Sequence, residues 1–177
     1  MPAERFVAAL NDQIAREMGA SQQYLAAAIY YDEQTLPRLA QLFYDQAVEE
    51  RGHALMMSKY LLDLGIRPRV PGVKEPRGDF ADFVEPIAIA LEQEQKVTDQ
   101  ISELAAIARE ERDFVSDQFV QWFLKEQVEE IDLMSTLLTT AERARERPLD
   151  IEEFIAREGI GGDNSEADAS APAAAGG

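Results

Sequence analysis

Cysteine is absent from the 177-residue chain, and histidine and tryptophan occur once each. The lack of cysteine excludes disulfide bonds and thiolate metal sites, and it suits a reducing compartment. The opening residues, MPAERFVAAL, carry an acid at position 4 and no long apolar run, so they are unlike a secretory signal. No stretch approaches the roughly 18 apolar residues that a membrane span requires. The sequence therefore predicts a soluble, cytoplasmic protein.

Basic residues are also scarce. There are 17 Lys and Arg against 34 Asp and Glu, which gives a formal net charge of -17. Nucleic-acid binding requires clustered basic side chains, so this balance argues against a nucleic-acid partner. It favours cationic partners, of which metal ions are the simplest, although a solvated acidic surface that maintains solubility is the simpler explanation of the charge alone.

Apolar residues recur at intervals of three and four along most of the chain. This periodicity predicts four long helices, at about residues 3–32, 36–64, 81–110 and 114–143. Thr35 is predicted to be the N-cap of the second helix, and Gly65 is predicted to end it. A short fifth helix is predicted after Pro148, with Asp150 as its N-cap and Glu153 as the reciprocal capping residue.

The connections between the helices predict the topology. The first and second helices, and the third and fourth, are joined by only a few residues and must form antiparallel hairpins. Residues 65–79 contain three Gly and three Pro, and when extended they reach about 50 Å, enough to cross the bundle end to end. We expect an all-α fold, a four-helix bundle with one long crossover plus a short fifth helix. Residues 1–160 would form this domain, and residues 161–177 a disordered low-complexity tail.

Polar side chains interrupt each predicted core stripe near the middle of its helix: Glu17, Glu50 with His53, Glu94, and Gln127 with Glu130. These positions lie at one height in the bundle, whichever way each helix runs. Buried carboxylates cost several kcal/mol each and repel one another, whereas bound cations remove that cost. Oxygen ligands with a single imidazole and no sulfur suit iron or manganese. Glu50 is placed to bridge two ions.

Other polar residues lie beside this layer. Tyr24 follows Glu17 by two helical turns, which is consistent either with a hydrogen bond to a ligand or an electron-donating role, or with an ordinary core tyrosine. Glu49, Glu126 and Glu129 flank the stripes and, together with Glu130, are consistent with a third, more exposed cation site. The alternative for these acids is a hydrated acidic face.

The residues Glu17 and Tyr24, the run EERGH, Glu94, and the run EQVEE at 126–130 resemble the non-haem bacterial ferritins over about residues 3–158. The resemblance implies a ferroxidase that oxidises Fe(II) with O2 or peroxide at a di-iron centre. It further implies storage of Fe(III) as a mineral inside a cage of twenty-four subunits.

The resemblance also implies roles for individual residues. Glu17, Glu50 and His53 correspond to ligands of the first iron, and Glu94 and Glu130 to ligands of the second. Gln127 corresponds to a polar neighbour of the second iron. The accessory third site corresponds to Glu49, Glu126, Glu129 and Glu130. Bacterioferritins carry a haem-ligating Met where this chain has Arg51, so no haem is expected.

Two other functions remain open from the sequence. A di-iron oxidase or peroxidase of the rubrerythrin kind uses a similar site, but it usually has two Glu-x-x-His pairs and this chain has one histidine. A helical interaction module could use a central polar layer to set the register of its helices without binding metal.

Overall fold

In a computed structural model, which describes residues 2–161 and 170–176, every regular element is a helix. The helices are α1 (Glu4–Glu33), α2 (Pro37–Asp63), α3 (Glu85–Glu110), α4 (Phe114–Arg143) and α5 (Leu149–Glu158). The α1/α2 pair and the α3/α4 pair pack along their lengths, α1 also packs against α3, and α5 packs against α2 and α4. The predicted all-α four-helix bundle with a short fifth helix is confirmed.

The crossover between α2 and α3, residues 64–84, runs along α1. Hydrogen bonds fix its path at three successive heights: Arg69 N–H to Asn11 Oδ1 (2.7 Å), Arg77 N–H to Gln23 Oε1 (3.0 Å), and the Tyr31 hydroxyl to the Phe83 carbonyl (2.8 Å). Residues 11 and 31 of a helix are about 30 Å apart along its axis. The crossover therefore spans most of the bundle, and α2 and α3 run parallel as expected.

The start of α3 differs from the prediction, because the helix begins at Glu85 and not at residue 81. The Asp82 carboxylate accepts hydrogen bonds from the N–H groups of Val84 and Glu85. The Glu85 carboxylate in turn accepts from the N–H of Ala81 (2.6 Å). This reciprocal pair resembles a capping box, and it ends the extended crossover four residues further along the chain than the apolar pattern indicated.

The predicted N-terminal caps of α2 and α5 are wrong. Thr35 has a positive φ of 59° and does not cap α2. The N–H groups of Arg38 and Leu39 instead donate to the two carboxylate oxygens of Glu152 on α5, each at 2.9 Å. At α5 itself, Pro148 occupies the N-cap position and no side chain caps the helix, so Asp150 and Glu153 lack the predicted role. Glu152 therefore joins α5 to the first turn of α2.

The apolar core consists of two clusters, one towards each end of the bundle. The first includes Tyr31, Phe43 and Leu137 together with Ile151 and Ile155 of α5, and the second includes Phe6, Leu10, Met57 and Ile101. The predicted polar layer lies between these two clusters. Each half of the bundle thus has its own apolar interior.

Among the described residues, no helix combines the length and apolar character needed to cross a membrane. At the C-terminal end, the Ala175 N–H donates to the Leu55 carbonyl of α2 (3.2 Å). The predicted disorder of residues 161–177 falls largely on residues 162–169 and 177, which lie outside the described residues, and it stays a prediction.

Candidate metal centre

Six polar side chains from four helices meet in the middle of the bundle. They are Glu17 on α1, Glu50 and His53 on α2, Glu94 on α3, and Gln127 and Glu130 on α4, and none is more than 6% exposed. Four of the six are carboxylates, a residue type that is almost never buried without a partner. The convergence expected from the sequence therefore occurs in the structure.

Glu17, Glu50 and His53 form the tightest group. Each offers one ligand atom, and these three atoms lie within 4.8 Å of one another. His53 Nδ1 is 3.6 Å from Glu50 Oε2 and 4.0 Å from Glu17 Oε2. The rings of Trp122 and Phe123 pack edge-on against the imidazole, with ring centroids 5.7 and 5.6 Å from the imidazole centroid. This arrangement could hold a metal ion on His53 Nδ1 and two carboxylates.

Several carboxylate oxygens at this centre have no hydrogen-bond donor. Glu17 Oε2, both oxygens of Glu50 and Glu130 Oε2 are buried and unpartnered. A buried charged oxygen without a partner is strongly destabilising, whereas a cation satisfies several such oxygens at once. The ligand atoms available to a metal ion are carboxylate oxygens and one imidazole nitrogen, a set that fits iron or manganese.

Three carboxyl groups of the metal-free centre have raised pKa values. Burial, reinforced by the charge of Glu50, raises the pKa of Glu17 well above its ordinary value. Burial likewise raises the pKa of Glu50, and the charges of Glu94 and Glu130 add to this. Burial together with the charges of Glu49 and Glu94 raises the pKa of Glu130 to about 9. A cation must therefore displace protons to bind.

Glu94 is held by two neutral donors. The Tyr24 hydroxyl donates to Glu94 Oε1 at 2.6 Å, and Gln127 Nε2 donates to Glu94 Oε2 at 3.0 Å. Tyr24 is 1% exposed and packs edge-on against Phe43. Tyr24 is thus both a core tyrosine and a hydrogen-bond donor to this carboxylate, and its electron-donating role stays a prediction.

Gln13 is a residue of this centre that the sequence reasoning missed. It is fully buried, and its Nε2 donates to Glu17 Oε1 at 2.7 Å. Arg16 Nη1 donates to Gln13 Oε1 at 3.2 Å. Gln13 thereby fixes one oxygen of Glu17 and leaves the other facing His53. The signal in the sequence was a polar residue one helical turn before a predicted ligand.

The accessory acids are less tightly arranged. Glu49 and Glu126 are partly buried, and Glu129 is exposed. Burial, followed by the charges of Glu129 and Glu49, raises the pKa of Glu126, so these side chains interact. Within the described part of the chain, however, only Glu17, Glu50 and His53 bring three ligand atoms as close as 4.8 Å. The structure places the accessory acids near the centre without drawing them into a compact group.

Known proteins share this architecture. The model of the ferritin-like domain family matches residues 7–144. Ferritin BfrB of Mycobacterium tuberculosis is 48% identical over 176 residues, 99% of this chain and 96% of that protein. Bacterial non-heme ferritin of Staphylococcus aureus is 37% identical over 136 residues, 77% of this chain and 82% of that protein. An open pore ferritin from Archaeoglobus fulgidus superposes with a TM-score of 0.83 at 30% identity, covering 88% of this chain and 94% of that chain.

The chain belongs to the ferritin-like family. Iron storage accompanied by ferroxidase activity is the function that this family and its ferritin neighbours support. The predicted resemblance to non-haem bacterial ferritins is confirmed.

Proposed function

We propose that the protein oxidises Fe(II) at a pair of iron sites inside each subunit and stores the Fe(III) product as a mineral. One observation carries this proposal: four buried carboxylate oxygens at the meeting point of the helices have no hydrogen-bond donor. Such an arrangement is unfavourable in the metal-free protein and favourable around cations. A register-setting polar layer would instead pair its polar atoms with one another.

In this proposal Glu17, Glu50 and His53 hold the first iron. Glu50, whose two oxygens are both unpartnered, bridges to the second iron, which Glu94 and Glu130 also hold. Gln127 and Tyr24 orient Glu94 through the hydrogen bonds to its two oxygens. Glu49, Glu126, Glu129 and Glu130 form an accessory third site through which iron passes to or from the pair.

Iron is the substrate of this reaction. Each Fe(II) gives up one electron, and O2 takes up two electrons and two protons to form hydrogen peroxide; peroxide as the oxidant takes up two electrons and two protons to form two water molecules. Carboxylate oxygens stabilise Fe(III) more than Fe(II) because the interaction grows with the charge of the ion. The residues contribute by binding two ions side by side and excluding most water from them.

We further propose that the chain assembles into a cage of twenty-four copies in the cytoplasm and binds no haem. Leu25, Ile29 and Val48 on adjoining helices α1 and α2 are 37%, 54% and 72% exposed in the single chain. Exposed apolar side chains on one face of a bundle favour association with another subunit. Arg51, at the position of the bacterioferritin haem ligand, offers no thioether to a haem iron.

The test is aerobic addition of Fe(II) to the purified protein, followed by size-exclusion chromatography and electron microscopy. We expect cage-sized particles with electron-dense cores and iron uptake well beyond two ions per chain. Glu50→Gln should slow the oxidation strongly, whereas Glu103→Gln, an exposed acid on α3, should leave it unchanged. Oxidation that stops at two ions per chain, with no mineral, would refute storage. Failure of the purified, metal-free protein to bind any added iron would refute the proposed metal centre.

A further inference from the structure

Gln46 lies beside Glu49, one of the accessory acids, and near Glu130 of the centre. It is located on α2, one helical turn before Glu50, and is 5% exposed. Its Nε2 donates to Glu49 Oε2 at 3.0 Å. Glu130 lies next to the same side chain: burial raises the pKa of Glu130, and the neighbouring Gln46 side chain acts against that rise. One neutral side chain thus adjoins both an accessory acid and an acid of the central pair.

The other end of this amide has no partner. Gln46 Oε1 is buried and accepts no hydrogen bond. A buried amide oxygen without a donor costs about 1–3 kcal/mol. The amide orientation therefore gives Glu49 a donor in the metal-free protein and leaves its own oxygen unsatisfied.

A cation between Glu49 and Glu130 reverses this preference. The NH2 group would then face a positive ion, which repels it, whereas the carbonyl oxygen would be attracted. The last torsion of a glutamine side chain is broad and roughly two-fold, so the amide can exchange its two ends without moving the rest of the side chain. The turned amide places Oε1 where Nε2 was, at hydrogen-bonding distance from Glu49 and therefore within reach of an ion between Glu49 and Glu130.

We propose that Gln46 is a two-state ligand of the accessory site: its NH2 group holds Glu49, next to Glu130, when the site is empty, and its carbonyl oxygen binds the cation when the site is filled. This inference rests on the proposed function, since it requires iron at the central pair and the accessory acids. A neutral ligand among several acids keeps the accessory site weaker than an all-carboxylate site would be. That weakness suits a position that iron occupies only in transit.

The test compares two substitutions in the assembled protein, titrated with Zn(II) as a redox-inert probe by isothermal titration calorimetry. Gln46→Leu removes both the donor and the acceptor, and Gln46→Glu replaces the amide by two oxygens of nearly the same shape. We expect the unsubstituted protein to bind two ions tightly and a third more weakly. Gln46→Leu should weaken the third by roughly tenfold or more, a size typical of lost metal-site contacts, and leave the first two.

Gln46→Glu separates the two roles of the side chain. If Gln46 supplies an oxygen ligand, the third ion binds Gln46→Glu as tightly as the unsubstituted protein or more tightly. If Gln46 acts only as a hydrogen-bond donor, Gln46→Glu loses the third ion just as Gln46→Leu does, and the inference is overturned. An unchanged third site in Gln46→Leu overturns it as well, and so does a protein that binds only two ions.

A matched control exists on the same helix. Gln41 is exposed, and its Nε2 donates to Asp45 Oδ1 at 2.8 Å, the same kind of contact away from the centre. Gln41→Leu should change none of the three affinities. A crystal structure of the Zn(II)-loaded protein adds a direct readout, because Gln46 Oε1 should lie about 2.1 Å from the third ion. If the unsubstituted protein fails to bind the first two Zn(II) ions, the proposed function itself is refuted. That result is distinct from a loss of the third ion alone.

Discussion

Cation binding at the centre should release protons, and the number released can be predicted from the structure. The pKa of Glu130 is raised to about 9, and those of Glu17 and Glu50 are raised well above the ordinary value. Near pH 7 the Glu130 carboxyl group therefore holds a proton in the metal-free protein. Filling the central pair at pH 7 should release at least about one proton per chain.

The energetic cost of this release is substantial for Glu130 alone. Removing its proton at pH 7, two units below a pKa of about 9, costs about 2.7 kcal/mol at roughly 1.36 kcal/mol per unit. That cost corresponds to about a hundredfold loss of apparent affinity relative to a fully ionised site. The apparent affinity should consequently rise with pH, up to about tenfold per pH unit for each proton displaced, and level off above pH 9.

Calorimetric titration with Zn(II) in two buffers of different ionisation enthalpy measures the proton count. Glu130→Gln should release about one proton fewer per chain, whereas Glu103→Gln should match the unsubstituted protein. A release of less than one proton per chain at pH 7 would show that the carboxyl groups are already ionised. In that case the reasoning from burial and mutual repulsion would be wrong.

Three further outcomes follow from the contacts described above. Gln13→Leu leaves a buried oxygen of Glu17 without its donor and should weaken the first ion by roughly tenfold in Zn(II) titration; unchanged affinity would remove Gln13 from the centre. Glu152→Ala breaks the cap of α2 and should destabilise the protein by about 0.5–2 kcal/mol in thermal melts, whereas an equal loss in Glu153→Ala would discredit that assignment. The raised pKa of Glu130 gives the metal-free fold a stability that is fully present below the ordinary pKa, near 4.5, and is lost as the pH rises through about 9. The melting temperature of the metal-free protein should therefore fall from pH 6 to pH 9. A melting temperature that does not change over this range would contradict the raised pKa.

The helices and the polar layer could be predicted from the sequence because both depend on local periodicity. A carboxylate that interrupts an apolar stripe is visible at Glu17 or Glu94 without any tertiary information. The height of each interruption follows from helix length alone, since the midpoints of equal antiparallel or parallel helices coincide. The path of the crossover could also be predicted from the sequence, because the extended length of the segment matched the length of the bundle.

The caps and the neutral residues around the centre depend on tertiary contacts, and sequence patterns do not report these. Glu152 caps α2 from 113 positions away along the chain, so the local capping pattern pointed to Asp150 and Glu153 instead. Gln13 is marked in the sequence only by its place one helical turn before Glu17, and its side-chain conformation reveals the hydrogen bond to Glu17. The roles of the individual metal ligands and of the accessory acids stay predictions until a metal-loaded structure is determined.

The division of the apolar interior into two clusters means that the four helices adhere to one another chiefly near their ends. Without cations, the polar layer between these clusters is where the helices hold together least well, because the carboxyl groups that face one another there repel one another or compete for protons. In the proposed function, iron bound by carboxylates of α1, α2, α3 and α4 would link the four helices at this level. A metal-loaded subunit should therefore resist separation of its helices more than a metal-free subunit does, even where the backbone is unchanged.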